Sequence, residues 1–442
     1  MTRRVKMERL KRIAAGWLNY DGMAECVVTV ENRFMGYAAA RHNCLLTGMA
    51  GTGKTTLLKR FIGEAPGRVD VTAPTGVAAL NAGGMTLHRF CGMMLGPQAG
   101  QSNEEYFQVL RQDKRRSVMA GFNRVRRCET LVIDEISMLP GRLLEFVEFL
   151  FRQVRGRDEP FGGVQVIAVG DFLQLPPVRT NENAPYDWGF LNPAWQAAGF
   201  KVFTLETVRR QDEAAFVNAL GEFRRGRVWG ESARLLQSRV RQFPPANLTR
   251  LYTHNVQVDK WNEFQLGELP SEPVVLEGER GGPDLQVEYL TKNLLTPATL
   301  KLKPGAMVMF TINRSEPGAL KPMYVNGQVG VVESIQPGAV LVRSRSGELL
   351  TVEPFTWRYD ANDPGSGSFT QYPLRLAWAM TIHKAQGLTL DAAYLDIRAA
   401  REPGQAYVAV SRVRSLAGLN FKDWFKGVHV SPEAIRFYEE AA

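Results

Sequence analysis

Residues 48–61 read GMAGTGKTTLLKRF. The stretch fits G-x-x-x-x-G-K-[ST] on Gly48, Gly53, Lys54 and Thr55. The apolar CLL before it reads as a strand and TTLLKRFI as a helix, which is the context a phosphate-cradling loop requires. Glycines let backbone N–H groups close around phosphate oxygens, and a helix N-terminus adds its positive end. Lys54 is placed to reach the β- and γ-phosphates and the Thr55 hydroxyl to hold Mg²⁺. The expected nucleotide-contacting set is Gly48, Gly51, Gly53, Lys54, Thr55 and Thr56, in an α/β fold.

Such a cradle needs a carboxylate for the metal. TLVIDEISML supplies it: four apolar residues form a buried strand, and Asp134 and Glu135 stand at its carboxyl end, where α/β proteins bind ligands. Asp134 is the candidate Mg²⁺ ligand and Glu135 the candidate base for an attacking water. The pairing with residues 48–55 points to hydrolysis of a nucleoside triphosphate. A third apolar run, VQVIAVGDFLQLPPV, carries Asp171 and Gln174 before Pro176-Pro177 ends the element. Gln174 has two readings, a sensor of the γ-phosphate or one residue of a structural loop.

The 442 residues allow two to four domains. The chain is 45% hydrophobic and 22% charged, as soluble globular proteins are. No apolar run of about 18 residues is present, so no membrane span is expected. Residues 1–20 are basic without an apolar core, so they do not read as a secretory signal; a basic amphipathic helix and a solvated leader are the two readings. Four scattered cysteines without C-x-x-C spacing argue against a zinc site and a disulfide framework and fit a reducing compartment. The net charge of +9 suits a polyanionic partner, nucleic acid first.

Several stretches fit such a partner. In VTAPTGVAAL a strand ends and Thr75-Gly76 open a helix, where a hydroxyl and free N–H groups suit a backbone phosphate. GGMTLHRF brings Thr86, His88 and Phe90 together; packing of His88 and Phe90 is the alternative. The polar segment that follows carries Arg111, Lys114, Arg115, Arg116, Arg124, Arg126 and Arg127, either a duplex-backbone contact or a solvated helix face. From about residue 285 to 360, short β-rich pieces alternate with Asn-Gly, Pro-Gly and Ser-Gly hairpin signals, which read as a small inserted β-barrel. Phe310, Tyr324 and Asn326 are contact candidates there. The linker 360–368 follows, and then residues 381–390, TIHKAQGLTL. Taken alone, that last stretch is a loop, a catalytic His–Lys pair or a ligand-contacting turn.

Together these pieces resemble superfamily 1 helicases of the 5′-to-3′ petite-integration-frequency (Pif) type, relatives of RecD and the phage Dda helicase. The resemblance runs in order from about residue 41 to 420 through GMAGTGKTTL, VTAPTGVAALNAGGMTLHRF, LVIDEISML, GDFLQLPPV, LETVRRQDEAAF, TIHKAQGLTLDAA and YVAVSRVRSL. It implies two RecA-like lobes. The first is residues 1–200, with a small insertion at about 92–128. The second is 201–284 with 366–442, interrupted by an SH3-like barrel at 285–365.

The resemblance also assigns roles. Arg210 and Arg412 match the arginine fingers that a second lobe delivers to the γ-phosphate, with Arg209 a rival for Arg210. Thr75, Thr86, His88, Phe90 and Asn326 fall in strand-contacting regions. Thr381, His383 and Lys384 face the strand while Gln386 and Gly387 approach the γ-phosphate, so no catalytic His–Lys pair is needed. One element departs from the family. ENRFMGYAAARHN lacks the upstream glutamine that reads adenine, which leaves adenine specificity open although ATP is the expected fuel. The expected partners are single-stranded and forked duplex DNA, with a monomer in the cytoplasm and no membrane. The rivals are a 3′-to-5′ helicase, a strand-stimulated translocase that unwinds little, and a non-motor nucleotide kinase or switch GTPase. The last has no use for Arg210 and Arg412.

Overall fold

The computed structural model describes residues 29–93, 96–98, 100–179, 184–211, 213–244, 248–314, 323–359, 365–424 and 427–441. The basic leader and residues 360–364 of the linker lie outside them. The chain divides into two units, residues 1–212 with 402–404 and 430–442, and residues 213–401 with 405–429.

The first unit is built on six parallel strands: β1 (Cys44–Gly48), β2 (Val69–Ala73), β3 (Met85–Thr86), β4 (Thr130–Ile133), β5 (Gln165–Val169) and β6 (Lys201–Leu205). Their spatial order is β3-β2-β4-β5-β1-β6. Successive strand residues point to opposite faces, and both faces are apolar. Cys44, Leu46, Val132, Ile167 and Val169 pack under Phe34, Leu57 and Phe61. Leu45, Leu131, Ile133, Val166 and Ala168 join the opposite core with Phe146, Val147 and Leu150 of the helix Gly141–Arg155. Strands buried on both sides explain the continuous apolar runs CLL, LVI and VIAV. β1, β4 and β5 occupy the middle of the sheet, so the cradle and both candidate carboxylate strands end on one edge.

Two expectations about boundaries are corrected here. KVFTL was assigned to the second lobe, but β6 pairs with β1 along its whole length, from Cys44↔Lys201 to Gly48↔Leu205. Residues 430–441 were also assigned to the second lobe. Their helix, Pro432–Ala441, belongs to the first unit, where Ala434 is fully buried in the core. The segment 92–128 forms two helices, Asn103–Gln112 and Arg116–Arg127. They are anchored in the same core by Phe107, whose ring meets those of Phe122 and Phe149.

The second unit carries a parallel sheet of Ala379–Thr381, Thr249–Tyr252, Ala393–Leu395 and Leu419–Phe421, in that spatial order. Between the second and first of these in sequence lies an antiparallel sheet of five strands: Leu349–Val352, Ala339–Ser344, Val329–Gln336, Met307–Phe310 and Leu374–Leu376. The β-rich reading of residues 285–360 therefore holds for most pieces. The sheet runs past residue 365, and residues 284–293 are helical. Asn262, on the helix Asn255–Gly267, ties that helix to the parallel sheet, since its side chain donates to the Ala379 carbonyl at 3.0 Å and accepts from the Ala379 N–H at 2.9 Å.

Candidate functional site

The phosphate loop owes its shape to glycine. Gly48, Gly51 and Gly53 have φ of 141°, 83° and 91°, a region that side chains disfavour. A Cβ on Gly51 would also stand 2.5 Å from the Arg210 Cβ. Gly53 caps the helix Lys54–Glu64 with no side-chain hydrogen bond. No cap side chain competes with an anion for the first-turn N–H groups. Lys54 Nζ donates to the carbonyls of Gly48 at 2.6 Å and Met49 at 2.9 Å, so the ammonium lies across the loop it serves. Thr55 and Thr56 are exposed.

Asp134 and Glu135 follow β4 on the same edge. The Asp134 N–H donates to the Thr72 carbonyl at 2.8 Å, and Asp134 Oδ1 accepts the Glu135 N–H at 2.9 Å. Burial raises the Asp134 pKa, the Glu135 charge raises it further, and the Glu135 N–H and Lys54 oppose both. Glu135 sits at φ 52°, ψ 44°, a left-handed conformation that costs a non-glycine residue about 1–3 kcal/mol. Strain of this kind at a carboxylate is what a pre-set base would store. No cluster of three or more His, Cys, Asp or Glu suited to a metal occurs among the described residues. The donor set fits Mg²⁺ nonetheless, because one hydroxyl and one carboxylate leave the other positions for phosphate and water oxygens.

Gln174 is 5% exposed, and its Nε2 donates to Asp171 Oδ2 at 3.3 Å. Arg209 and Arg210 are in the first unit, which corrects their expected delivery from a second lobe. The reason is β6, which carries them to the loop, where the Arg209 N–H donates to the Gly51 carbonyl at 2.8 Å. The two side chains then diverge. Arg209 is 65% exposed and pairs with Glu31 at 3.1 Å, while Arg210 is half-buried against Gly51.

Arg412 and Gly387 belong to the second unit. Arg412 is 2% exposed. It donates to Val408 O at 2.9 Å, Ser411 Oγ at 2.8 Å and Leu388 O at 3.4 Å, beside Gly387. Gln386 is buried, and its Nε2 has no hydrogen-bond partner. A buried donor left over in this way costs free energy unless a ligand takes it. Gly387 and Asn326 line one cavity of about 510 Å³ with Gln328, Arg345 and Arg414.

Three of the strand-contact candidates share one local role. Thr75, Thr86 and Thr381 each cap a short helix, accepting the N–H of Ala78, Arg89 and Lys384 respectively, each at 3.3 Å. A hydroxyl that accepts from its own helix can also donate, and at Thr75 and Thr381 that proton suits a backbone phosphate. His383 is exposed and Lys384 half-buried. Burial lowers the Lys384 pKa, neighbouring Arg375 lowers it further and Asp259 opposes both. His88 is half-buried, with its pKa lowered by burial.

Other candidates are corrected. Phe90 is 1% exposed and stacks on Phe151, so it is a core residue with no face for a base. Phe310 and Tyr324 stack on each other, with ring centroids 4.4 Å apart, and are buried too. Within the basic run, Arg124 donates to the Phe90 carbonyl at the C-terminus of the helix Leu87–Cys91. Arg115 pairs with Asp113, whereas Arg111, Lys114, Arg116, Arg126 and Arg127 are exposed. Sequence reading missed Arg375. It is 9% exposed with Nε and Nη1 unpartnered, and burial pushes its guanidinium down to about 10. A lone arginine in PLRLAW carries no signal of this burial.

A Gly-Lys-Thr cradle, a strand-end carboxylate pair and a second parallel sheet define a P-loop nucleoside triphosphatase of two α/β units. A family model described as PIF1-like helicase matches residues 32–227. The chain is 37% identical over 402 residues to the ATP-dependent DNA helicase Pif1 of Bdellovibrio bacteriovorus, covering 90% of this chain and 88% of that one. It is 37% identical over 406 residues to the PIF1 helicase of Xenopus laevis, of which it spans 62%. The crystal structure of Bacteroides Pif1 with ADP-AlF4 superposes with a TM-score of 0.79 at 31% identity, covering 94% of this chain and 97% of that one. The chain belongs to the PIF1-like helicases.

Proposed function

We propose that the chain is an ATP-dependent DNA helicase that moves 5′ to 3′ along single-stranded DNA and opens duplex ahead of it. The observation that carries this reading is the convergence, on one sheet edge, of the Lys54–Thr55 cradle, the strained Asp134–Glu135 pair and Arg210. Lys54 and the loop N–H groups bind the phosphates. Thr55 and Asp134 would hold Mg²⁺, which neutralises phosphate charge when bound. Glu135 takes the proton of the attacking water, and Arg210 stabilises charge on the transferring group. The resemblance matches Arg412 and Gln386 of the second unit to residues that approach the γ-phosphate. The two units are read as RecA-like lobes and the five-stranded sheet as the SH3-like insertion, with a monomer as the working form. The stretches APTGVAALNAGGMTLHRF and GDFLQLPPV support the 5′-to-3′ direction. Relatives support the DNA partner: Bacteroides Pif1 has been solved bound to single-stranded DNA.

Single-stranded DNA should raise ATP turnover by more than about tenfold, because strand and phosphate contacts share residues 381–387. A steady-state ATPase assay with and without oligonucleotide measures this; equal rates would leave a triphosphatase without a motor. In the same assay His383→Ala should reduce DNA-stimulated turnover and leave basal turnover nearly intact, since His383 is exposed and is read as facing the strand. Equal losses in both would assign the stretch to the nucleotide site alone.

A further inference from the structure

The chain's last helix brings a hydroxyl to the floor of the nucleotide site. Ser431 caps it, accepting the Ala434 N–H at 3.1 Å. Phe437 then docks among Phe172, Phe190 and Trp195, with ring centroids 5.1, 4.8 and 6.2 Å away. This anchor fixes the next residue. Tyr438 Oη lies 2.6 Å from Thr47 Oγ1, the side chain immediately before the phosphate loop. It accepts the Phe172 N–H at 3.1 Å and reaches Asp171 Oδ1 at 3.3 Å. Asp171 is fully buried. Its Oδ1 also accepts the Leu173 N–H at 3.1 Å, and its Oδ2 accepts Gln174 Nε2 at 3.3 Å.

The proton order follows from the groups. An ionised carboxylate only accepts, so Tyr438 donates to Asp171, and Thr47 donates to Tyr438. The result is a chain of hydroxyls from β1 to the turn after β5, closed by a residue 267 positions away in sequence. Buried networks of this kind hold a unique geometry when every member is satisfied.

We propose that Tyr438 is a positioning residue of the hydrolysis site: its hydroxyl ties the phosphate-loop strand to the Asp171–Gln174 turn and sets where the Gln174 amide is held. This rests on the reading of the first unit as the hydrolysis site and on the first of the two readings of Gln174, a sensor of the γ-phosphate. The tie acts on the geometry of the chemical step through Asp171 and Gln174.

Tyr438→Phe removes the hydroxyl and keeps the aromatic packing. DNA-saturated kcat should fall about tenfold, the scale of one charge-assisted hydrogen bond, with KM for ATP unchanged within about twofold. In a Gln174→Ala background the same change should cost nothing further, because its route of action is already gone. Thr47→Val cuts the tie from the other end and should reproduce the kcat loss. Full turnover in both hydroxyl variants would overturn the proposal. So would losses that multiply with Gln174→Ala, which is the signature of a general structural role. Lys54→Ala separates the two readings. If wild-type turnover does not depend on Lys54, the hydrolysis site itself is misassigned; Lys54-dependent turnover with a fully active Tyr438→Phe rejects the positioning role alone.

Discussion

Glu135→Gln is expected to lower ATP turnover by about 10²–10⁴-fold, the range for loss of a general base, while the affinity for ATP stays near the wild-type value. Glutamine has the size of glutamate and inherits the same left-handed backbone, so the loop around it is not disturbed. It cannot take a proton from water. The substitution also changes its neighbour. Asp134 holds its proton to unusually high pH because it is buried and faces the Glu135 charge. A protonated Asp134 is a poor cation ligand, so Mg²⁺-dependent nucleotide binding should weaken as pH falls through that raised pKa. Removing the Glu135 charge lowers the Asp134 pKa, so this weakening should move to lower pH in the variant. Single-turnover hydrolysis and a pH series of fluorescent-nucleotide binding with Mg²⁺ check the two parts. Normal turnover in Glu135→Gln would remove Glu135 from the mechanism, and an unshifted binding profile would uncouple the two carboxylates.

The second large effect distinguishes two adjacent arginines. Arg210→Ala should reduce kcat on the order of 10³-fold, as loss of an arginine finger does in nucleotide switches. Arg209→Ala should stay within about fivefold, because an exposed ion pair contributes at most about 1 kcal/mol. Their geometry is the reason: Arg209 turns outward to Glu31, and Arg210 lies against Gly51 of the phosphate loop. Steady-state ATP hydrolysis at saturating DNA and ATP reads both variants. A larger loss in Arg209→Ala would exchange the assignments.

The parts of the site legible in sequence are those whose chemistry is local. Gly48 to Thr55 and Asp134-Glu135 state their role within a few residues, because a loop must fit a phosphate and a carboxylate must end a strand. TIHKAQG reads locally as a polar turn after an apolar strand, and the structure shows Thr381 capping its helix and Gln386 carrying a buried, unpartnered donor. What failed depends on distant packing. For Phe90, Phe310 and Tyr324, an aromatic ring reads the same in sequence whether it stacks on a base or on another ring. KVFTL is plainly a strand, but a strand does not name its sheet, and its pairing with β1 moved Arg210 into the first unit. Arg375 and Tyr438 were out of reach for a stronger reason. One matters through its burial and the other through a hydroxyl contact closed across most of the chain.

Directional unwinding tests the motor reading most directly. Two forked duplexes, identical except that one bears only a 5′ single-stranded tail and the other only a 3′ tail, are mixed with the protein, ATP and Mg²⁺. Strand separation is followed by fluorescence, with Glu135→Gln as the hydrolysis-dead control. The account predicts ATP-dependent opening of the 5′-tailed substrate, little opening of the 3′-tailed one, and none by the control. Preferential opening from the 3′ tail would contradict it.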